Sequence, residues 1–318
     1  MSADISTVLA PQSAKPSKLR LLLHRIWKMR MLYVLLLPAI IFFAVFRYYP
    51  YWGLSLAFRD FKPATAIADM TWIGFEHFER LFSLPAFSEV FMNTLIISLM
   101  KLFIGMPVPI IFALLLNEIR FALFKRGVQT VTLFPHFLSW VVYGGIMVLF
   151  LAPGGIIADL VGAFGINGNT LLVDTRLFRG ILVVTDIMKG FGFSAILYLA
   201  AMTSIDTELY SAARVDGANR WQQMRFITLP GITGVIVIVL ILNMGQILDA
   251  GFEQVFVMYN PAVYSVADII DTYTYRIGLV EGKFAIATAL GLFKGIIGFI
   301  LIVASNQFVK RLGHSTLW

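Results

Sequence analysis

The sequence has no cysteine, so neither a disulfide framework nor a thiolate metal site is open to it. Charge is scarce: 14% of the residues are Asp, Glu, Lys or Arg, where a soluble domain carries about 25%. Histidine is limited to His24, His77, His136 and His314, too widely spread for a metal-ligand spacing. No G-x-x-x-x-G-K-[ST] loop is present to cradle nucleotide phosphates, and no serine nucleophile elbow. Neither the arginine ladder of a voltage sensor nor a carbonyl filter occurs. These absences leave an enzyme, a metal protein or a channel without its parts. Apolar residues are abundant instead, at 59% of 318, which is the composition of an integral membrane protein. The net charge of +7 is no sign of nucleic acid, because the basic residues gather at the ends of apolar runs.

A membrane helix needs about 20 mainly apolar residues. Six segments qualify: residues 31–50, 88–118, 127–152, 179–203, 231–250 and 284–309. The second would reach roughly 45 Å as a straight helix, so it must tilt or kink, and Gly105, Pro107 and Pro109 offer the place. The first thirty residues hold Lys15, Lys18, Arg20, Arg25, Lys28 and Arg30 without a small-residue cleavage site, which reads as a tail before a retained span rather than a leader. Basic residues are denser in that tail and in the connections 119–126, 204–230 and 310–318 than in 51–87, 153–178 and 251–283. The denser set is expected in the cytoplasm, with both termini. The chain then divides into a tail (1–30), a first span with its outer loop (31–87), a core (88–309) and a C-terminal tail (310–318). No separate soluble domain is expected. The outer stretch PGGIIADLVGAFGING reads as a short interfacial or re-entrant helix turning at Asn167-Gly168.

Lys101, Asp186, Lys189 and Lys294 lie within spans and Asp249 closes the fifth. Each is costly in hydrocarbon and is expected to face protein or water. Asp186 and Lys189 stand three apart, so a local pair is one option; Lys101 and Lys294 have no such neighbour. Asn243, Gln246 and Asp249 recur every three residues along the fifth span, as a pathway lining that bonds sugar hydroxyls or as interhelical glue. Trp140 and Tyr143 offer rings for stacking or packing. On the sixth span Ala287, Gly291 and Gly295 form a small-residue stripe that admits a close helix.

The polar connection reads SIDTELYSAARVDGANRWQQMRFITLPGI. Ser204, Asp206 or Thr207 can cap a helix and Glu208 suits its first turn. Gly217 can end it, a short piece can follow, and Pro230 fits the start of the next span. This connection resembles the cytoplasmic loop of binding-protein-dependent ABC importer permeases, patterned E-A-A-x3-G-x9-I-x-L-P. Ala212, Ala213, Gly217, Ile227, Leu229 and Pro230 match it in register, and Ser211 stands where Glu is usual. The stretches WIGFEHF, FPHFLSWVVY, NMGQILDAGFEQVFVMYNP and ADIIDTYTYRIGL are similar to the branch importing oligo- and polysaccharides, and to the permeases of alginate importers.

The resemblance implies an all-α membrane subunit of the type I importer fold, working by alternating access. Glu208, Ser211, Ala212, Ala213, Asp216, Gly217, Ile227, Leu229 and Pro230 would then form a coupling element seated on a separate ATPase. Asn243, Gln246, Asp249, Lys189, Trp140 and Tyr143 would line the pathway. The implied partners are a second permease, an ABC ATPase dimer that uses ATP and Mg, and a periplasmic or extracellular solute-binding protein. The bilayer and an oligo- or polysaccharide complete the set, without nucleic acid. The chain itself is expected to bind no cofactor and to catalyse nothing. The expected site is a bacterial inner membrane. A slight excess of lysine in the spans would suit an anionic polymer such as alginate, although snorkelling or pairing with a partner chain explains it equally. An ion-gradient carrier using Asp186 and Asp249 is the alternative.

Overall fold

A computed structural model describes residues 27–311. The tail readings, including His24 and His314, fall largely or wholly outside these residues. Among them five helices are long and apolar enough to cross a membrane, and a sixth span is counted if one bent pair is taken together. No sheet forms among the described residues; Arg59 and Trp72 make one isolated bridge.

The chain divides at residue 55 into two units. In the first, α1 (Arg30–Phe43) continues through a π-turn (Ala44–Tyr48) into a 3-10 stretch (Tyr49–Phe58) that crosses the boundary. Pro38 lies inside α1.

The second unit holds the remaining spans. After the short α2 (Glu76–Ser83), α3 (Pro85–Met100) and α4 (Pro107–Glu118) form one long helix. A π-turn at Lys101–Gly105 joins them. The irregularity falls just before Pro107, whose ring and missing N–H a regular helix would not accommodate. The sequence reading expected a continuous third span over 127–152. The structure breaks it: α5 (Ala122–Leu133) with its 3-10 extension (Phe134–Phe137) meets α6 (Trp140–Leu151) at 104°. The cause is local. Pro135 tightens the last turn, Leu138 is extended, and the Ser139 hydroxyl accepts a bond from Val142 N to start a new helix.

The short helix α7 (Ile156–Ala163) packs beside the turn at Asn167–Gly168. A Cβ on Gly168 would lie 2.0 Å from Ala158 O, so no other residue fits. Next comes α8 (Thr175–Met202), capped by Asp174. On the far side of the connection 203–219, α10 (Arg220–Gln223), a π-turn (Met224–Thr228) and α11 (Leu229–Gly245) run as one span. The fifth span therefore begins eleven positions earlier than expected and ends five earlier. Pro230 stands in the first turn of α11, as expected, and the π-turn before it carries the span back to Arg220. Short helices α12 (Phe252–Met258), α13 (Tyr264–Ala267) and α14 (Ile270–Tyr275) lead to α15 (Phe284–Arg311).

The outward faces carry large apolar side chains such as Phe103, Leu149 and Phe299, each about 70% exposed. Such a surface belongs in lipid. Between helices the contacts are small. Gly192 of α8 meets the Thr132 carbonyl of α5, Gly144 of α6 meets Val257 of α12, and Gly245 of α11 meets Ile302 of α15. Gly291 and Gly295 of the expected stripe meet no described atom within 4 Å of a Cβ; only Ala287 is buried.

Candidate functional site

The polar connection folds into a short braced helix. The Asp206 carboxylate accepts a bond from Glu208 N and starts α9 (Thr207–Val215). At the other end Gly217 takes φ +79°, Gly217 N donates to Arg214 O, and Ala218 N donates to Ala213 O at 2.8 Å. This is a complete Schellman stop, and it needs the left-handed backbone that glycine adopts freely. Asn219 and Gln222 then cap each other's backbone to open α10.

Three contacts tie this corner to the spans. Arg220 bonds Glu118 at the end of α4 (2.8 Å), Tyr210 OH meets Thr228 Oγ1 (2.9 Å), and Gln223 Nε2 donates to Ala218 O (2.9 Å). Ile205 sits so close to Gly231 that a Cβ there would lie 2.7 Å away. The outer face of α9 remains open: Leu209 is 53% exposed and Val215 89%, and Glu208, Ser211, Ala212 and Asp216 are exposed beside them. Ala213 and Ile227 are half-buried, and Leu229 and Pro230 are exposed. Ser211 donates to Thr207 O and accepts from Arg214 Nη2 at 3.2 Å. Among the described residues no side chain pairs with the Glu208 carboxylate. Leu209, Ala212 and Val215 are thus exposed among polar neighbours on a helix capped at both ends.

A cavity of about 240 Å3 lies among α3, α4, α8 and α11. Ser98, Lys101, Asp186, Ser194, Tyr198, Asn243, Gln246 and Asp249 supply its polar wall. Asn243 stands on α11, whereas Gln246 caps it and Asp249 follows in a turn. The three converge because the chain leaves the helix. At the rim Lys101 donates to Ala250 O (2.8 Å), Gln254 Oε1 and Asp186 (3.4 Å). Gln254, fully buried, in turn donates to Leu182 O and Thr185 Oγ1. One ammonium so joins α3, α8, α11's terminal turn and α12. Gly251, at φ +91°, lets the turn pass 2.8 Å from Lys101 Nζ as measured from an added Cβ. The Ser98 hydroxyl, buried at the wall, has no partner among the described residues.

Lys189, Trp140 and Tyr143 come together elsewhere, outside that lining. Lys189 Nζ donates to His136 O and lies 5.2 Å over the Trp140 ring. Tyr143 is buried and donates to Thr185 O. Asp186 pairs with Lys101, not with Lys189, and Lys294 pairs with Asp271 at 2.6 Å. The cavity wall holds one ammonium and two carboxylates; the excess of lysine does not reach it.

Residues 105–314 match the family described as the binding-protein-dependent transport system inner membrane component. The chain belongs to this family. Membership makes it a multi-pass transport permease and not a catalytic subunit, and it sets aside the ion-gradient carrier. The permease is 42% identical, over 96% of its length and 95% of the relative's, to the polygalacturonan/rhamnogalacturonan transport system permease protein YteP of Bacillus subtilis (strain 168). It is 41% identical to protein LplB of the same organism, over 90% and 91%. Among solved structures it superimposes on a chain of a bacterial ABC transporter involved in the import of the acidic polysaccharide alginate, with TM-score 0.84, 39% identity, and 91% and 98% coverage. A chain of a bacterial alginate ABC transporter, in complex with a periplasmic protein bound to an alginate pentasaccharide, matches at TM-score 0.84 and 37% identity, covering 92% and 99%.

Several residues of the permease's two sites carry no sequence signal. Glu118 and Tyr210 brace the loop, and Gln254 holds Lys101, across separations of 102, 18 and 153 positions. Lys101 and Asp186 stood out as charges in apolar surroundings, yet nothing local paired them.

Proposed function

We propose that this permease is one of two that together form the pathway of an ATP-driven importer of acidic oligo- or polysaccharides. A solute-binding protein delivers the sugar from outside, and both termini lie in the cytoplasm of a bacterial inner membrane. A dimer of ABC ATPases, using ATP and Mg, seats α9 in a cleft on its surface. The observation that carries this reading is the α9 corner: capped at both ends, bonded to α4 and to the π-turn before α11, with Leu209, Ala212 and Val215 left exposed. A loop that only joined spans would need none of these. When the ATPases close, a rod so braced passes the movement to the spans instead of yielding, and the cavity opens alternately to either side. The set Glu208, Ser211, Ala212, Ala213, Asp216, Gly217, Ile227, Leu229 and Pro230 builds that rod and its root.

The cavity's Asn243, Gln246, Ser98 and Ser194 offer donors and acceptors suited to sugar hydroxyls. Support for an acidic sugar comes from the similarity to the polygalacturonan/rhamnogalacturonan and alginate permeases rather than from the wall's charges. Reconstitution tests the whole. The complex should hydrolyse ATP faster when its binding protein carries uronate oligomers, and deletion of 208–221 should abolish ATPase co-purification while leaving membrane insertion intact. ATPase binding that survives the deletion would overturn it.

A further inference from the structure

α12 has two unlike faces. Gln254, Val255 and Met258 are buried against α6 and α8. Phe252, Phe256 and Tyr259, at i, i+4 and i+7, share a second face. Their rings continue into those of neighbouring segments. From Tyr264 to Tyr259 the centroids are 4.9 Å apart, from Tyr259 to Phe256 6.2 Å, and from Phe256 to Phe252 5.3 Å. Tyr275 flanks Phe256 at 5.0 Å and Phe252 at 6.0 Å. Phe256 is 40% exposed and the others are half-buried. One end of the row lies at Tyr264, where the Arg276 guanidinium sits 5.0 Å over the ring. The other end, Phe252, adjoins Gly251 and stands three positions after Asp249 of the cavity wall.

We propose that this row is a stacking track on which successive pyranose rings of a saccharide chain slide into the cavity. The proposal rests on the importer reading above and assigns it a contact surface. Three observations favour a sugar over a protein partner. The row begins at Phe252, three positions along the chain from Asp249 of the polar cavity wall. Its rings are flat and half-exposed, with hydroxyls on Tyr259, Tyr264 and Tyr275, so the apolar faces of sugars and their rim hydroxyls both find partners. Finally, each ring supplies a modest, near-equivalent contact, as passage requires: binding strong enough to enter and divided enough to leave. Gln254 bonds Leu182 O and Thr185 Oγ1 and accepts from Lys101, which fastens the buried face of α12 to α8 and holds the row in place.

The test uses the complete complex with its ATPases and binding protein in vesicles, and a uronate series from dimer to hexamer. Phe256→Leu keeps apolar bulk and removes the flat face. It should raise the concentration for half-maximal uptake of tetramers and longer about tenfold, in line with the worth of an aromatic contact. Dimers should change less than about twofold, and Phe256→Tyr should behave as the parent. Co-purification of both permeases should be unchanged in each variant. Equal uptake by Phe256→Leu at every length overturns the track and leaves the importer reading standing. Loss of the second permease from Phe256→Leu also overturns it, because the row would then be a subunit interface. A parent complex that carries no saccharide removes both readings.

Discussion

Arg220, the first residue of the fifth span, bonds Glu118, the last of α4, at 2.8 Å across 102 positions of chain. The ends of two spans and the corner that carries α9 are thereby one mechanical unit. Both side chains are more than a third exposed, so the pair contributes at most about 1 kcal/mol to stability. Its value lies in direction: it fixes the corner against the end of α4.

Charge reversal separates these roles. Glu118→Arg or Arg220→Glu should leave the melting temperature nearly unchanged but lower the ATPase stimulation produced by a loaded binding protein. The double variant should regain most of it. Single variants with full stimulation would show that the pair transmits nothing.

Gly217 makes a second prediction. A Cβ there meets nothing within 4 Å, so only the backbone at φ +79° opposes substitution. Gly217→Ala costs about 1 kcal/mol locally and should loosen ATPase binding; Gly217→Asn, tolerant of that conformation, should bind as the parent does. Equal binding by both, measured by co-purification, would put the Schellman stop outside the coupling mechanism.

Removing the Lys101 ammonium strands Gln254 Oε1, Ala250 O and Asp186 together. Lys101→Met should destabilise the complex by about 2 kcal/mol, seen as a lower Tm in detergent. Adding Asp186→Asn should recover part of it by removing the unpaired carboxylate. No loss in the single variant would mean that the ammonium does not hold the four elements.

Two glycines predict opposite outcomes. At Gly192 an added methyl would lie 2.3 Å from Thr132 O, so Gly192→Ala should cost about 1–3 kcal/mol by overpacking. At Gly291 the space is open, and Gly291→Ala should be neutral or stabilising by up to about 1 kcal/mol in this chain alone. Thermal melting of the two variants decides between them, and similar losses at both would contradict the packing described.

The residues proposed for the pathway and Tyr143, which lies outside the cavity, divide in the same manner. Asn243→Ala and Gln246→Ala should weaken uptake at constant Tm, because both face open volume. Tyr143→Phe removes the bond to Thr185 O and should lower Tm by the worth of one buried hydrogen bond, about 1 kcal/mol, with uptake unchanged.

Much of this was legible in sequence because the bilayer allows few choices. An apolar run of sufficient length becomes a helix, as 284–309 did in Phe284–Arg311 and 179–203 in Thr175–Met202. Caps and stops follow from neighbours a few positions apart, so Asp206 and Gly217 could be read in place. The 127–152 run misled because length and hydropathy carry no angle: Pro135 and Ser139 reset the backbone within it while leaving its apolar content intact.

Composition and local pattern thus determined the class of the molecule, most of its spans and the helix between them on the polar side, since each depends on solvent and on backbone bonds a turn away. Tertiary structure alone decided that Lys101 answers Asp186 and Gln254, that Glu118 meets Arg220, and that Asn243, Gln246 and Asp249 close on one cavity while Lys189 and Trp140 close on another contact. Those choices depend on how helices far apart in the chain cross, and the energy that selects among crossings is spread over many small contacts, none of which leaves a mark in a short stretch of sequence.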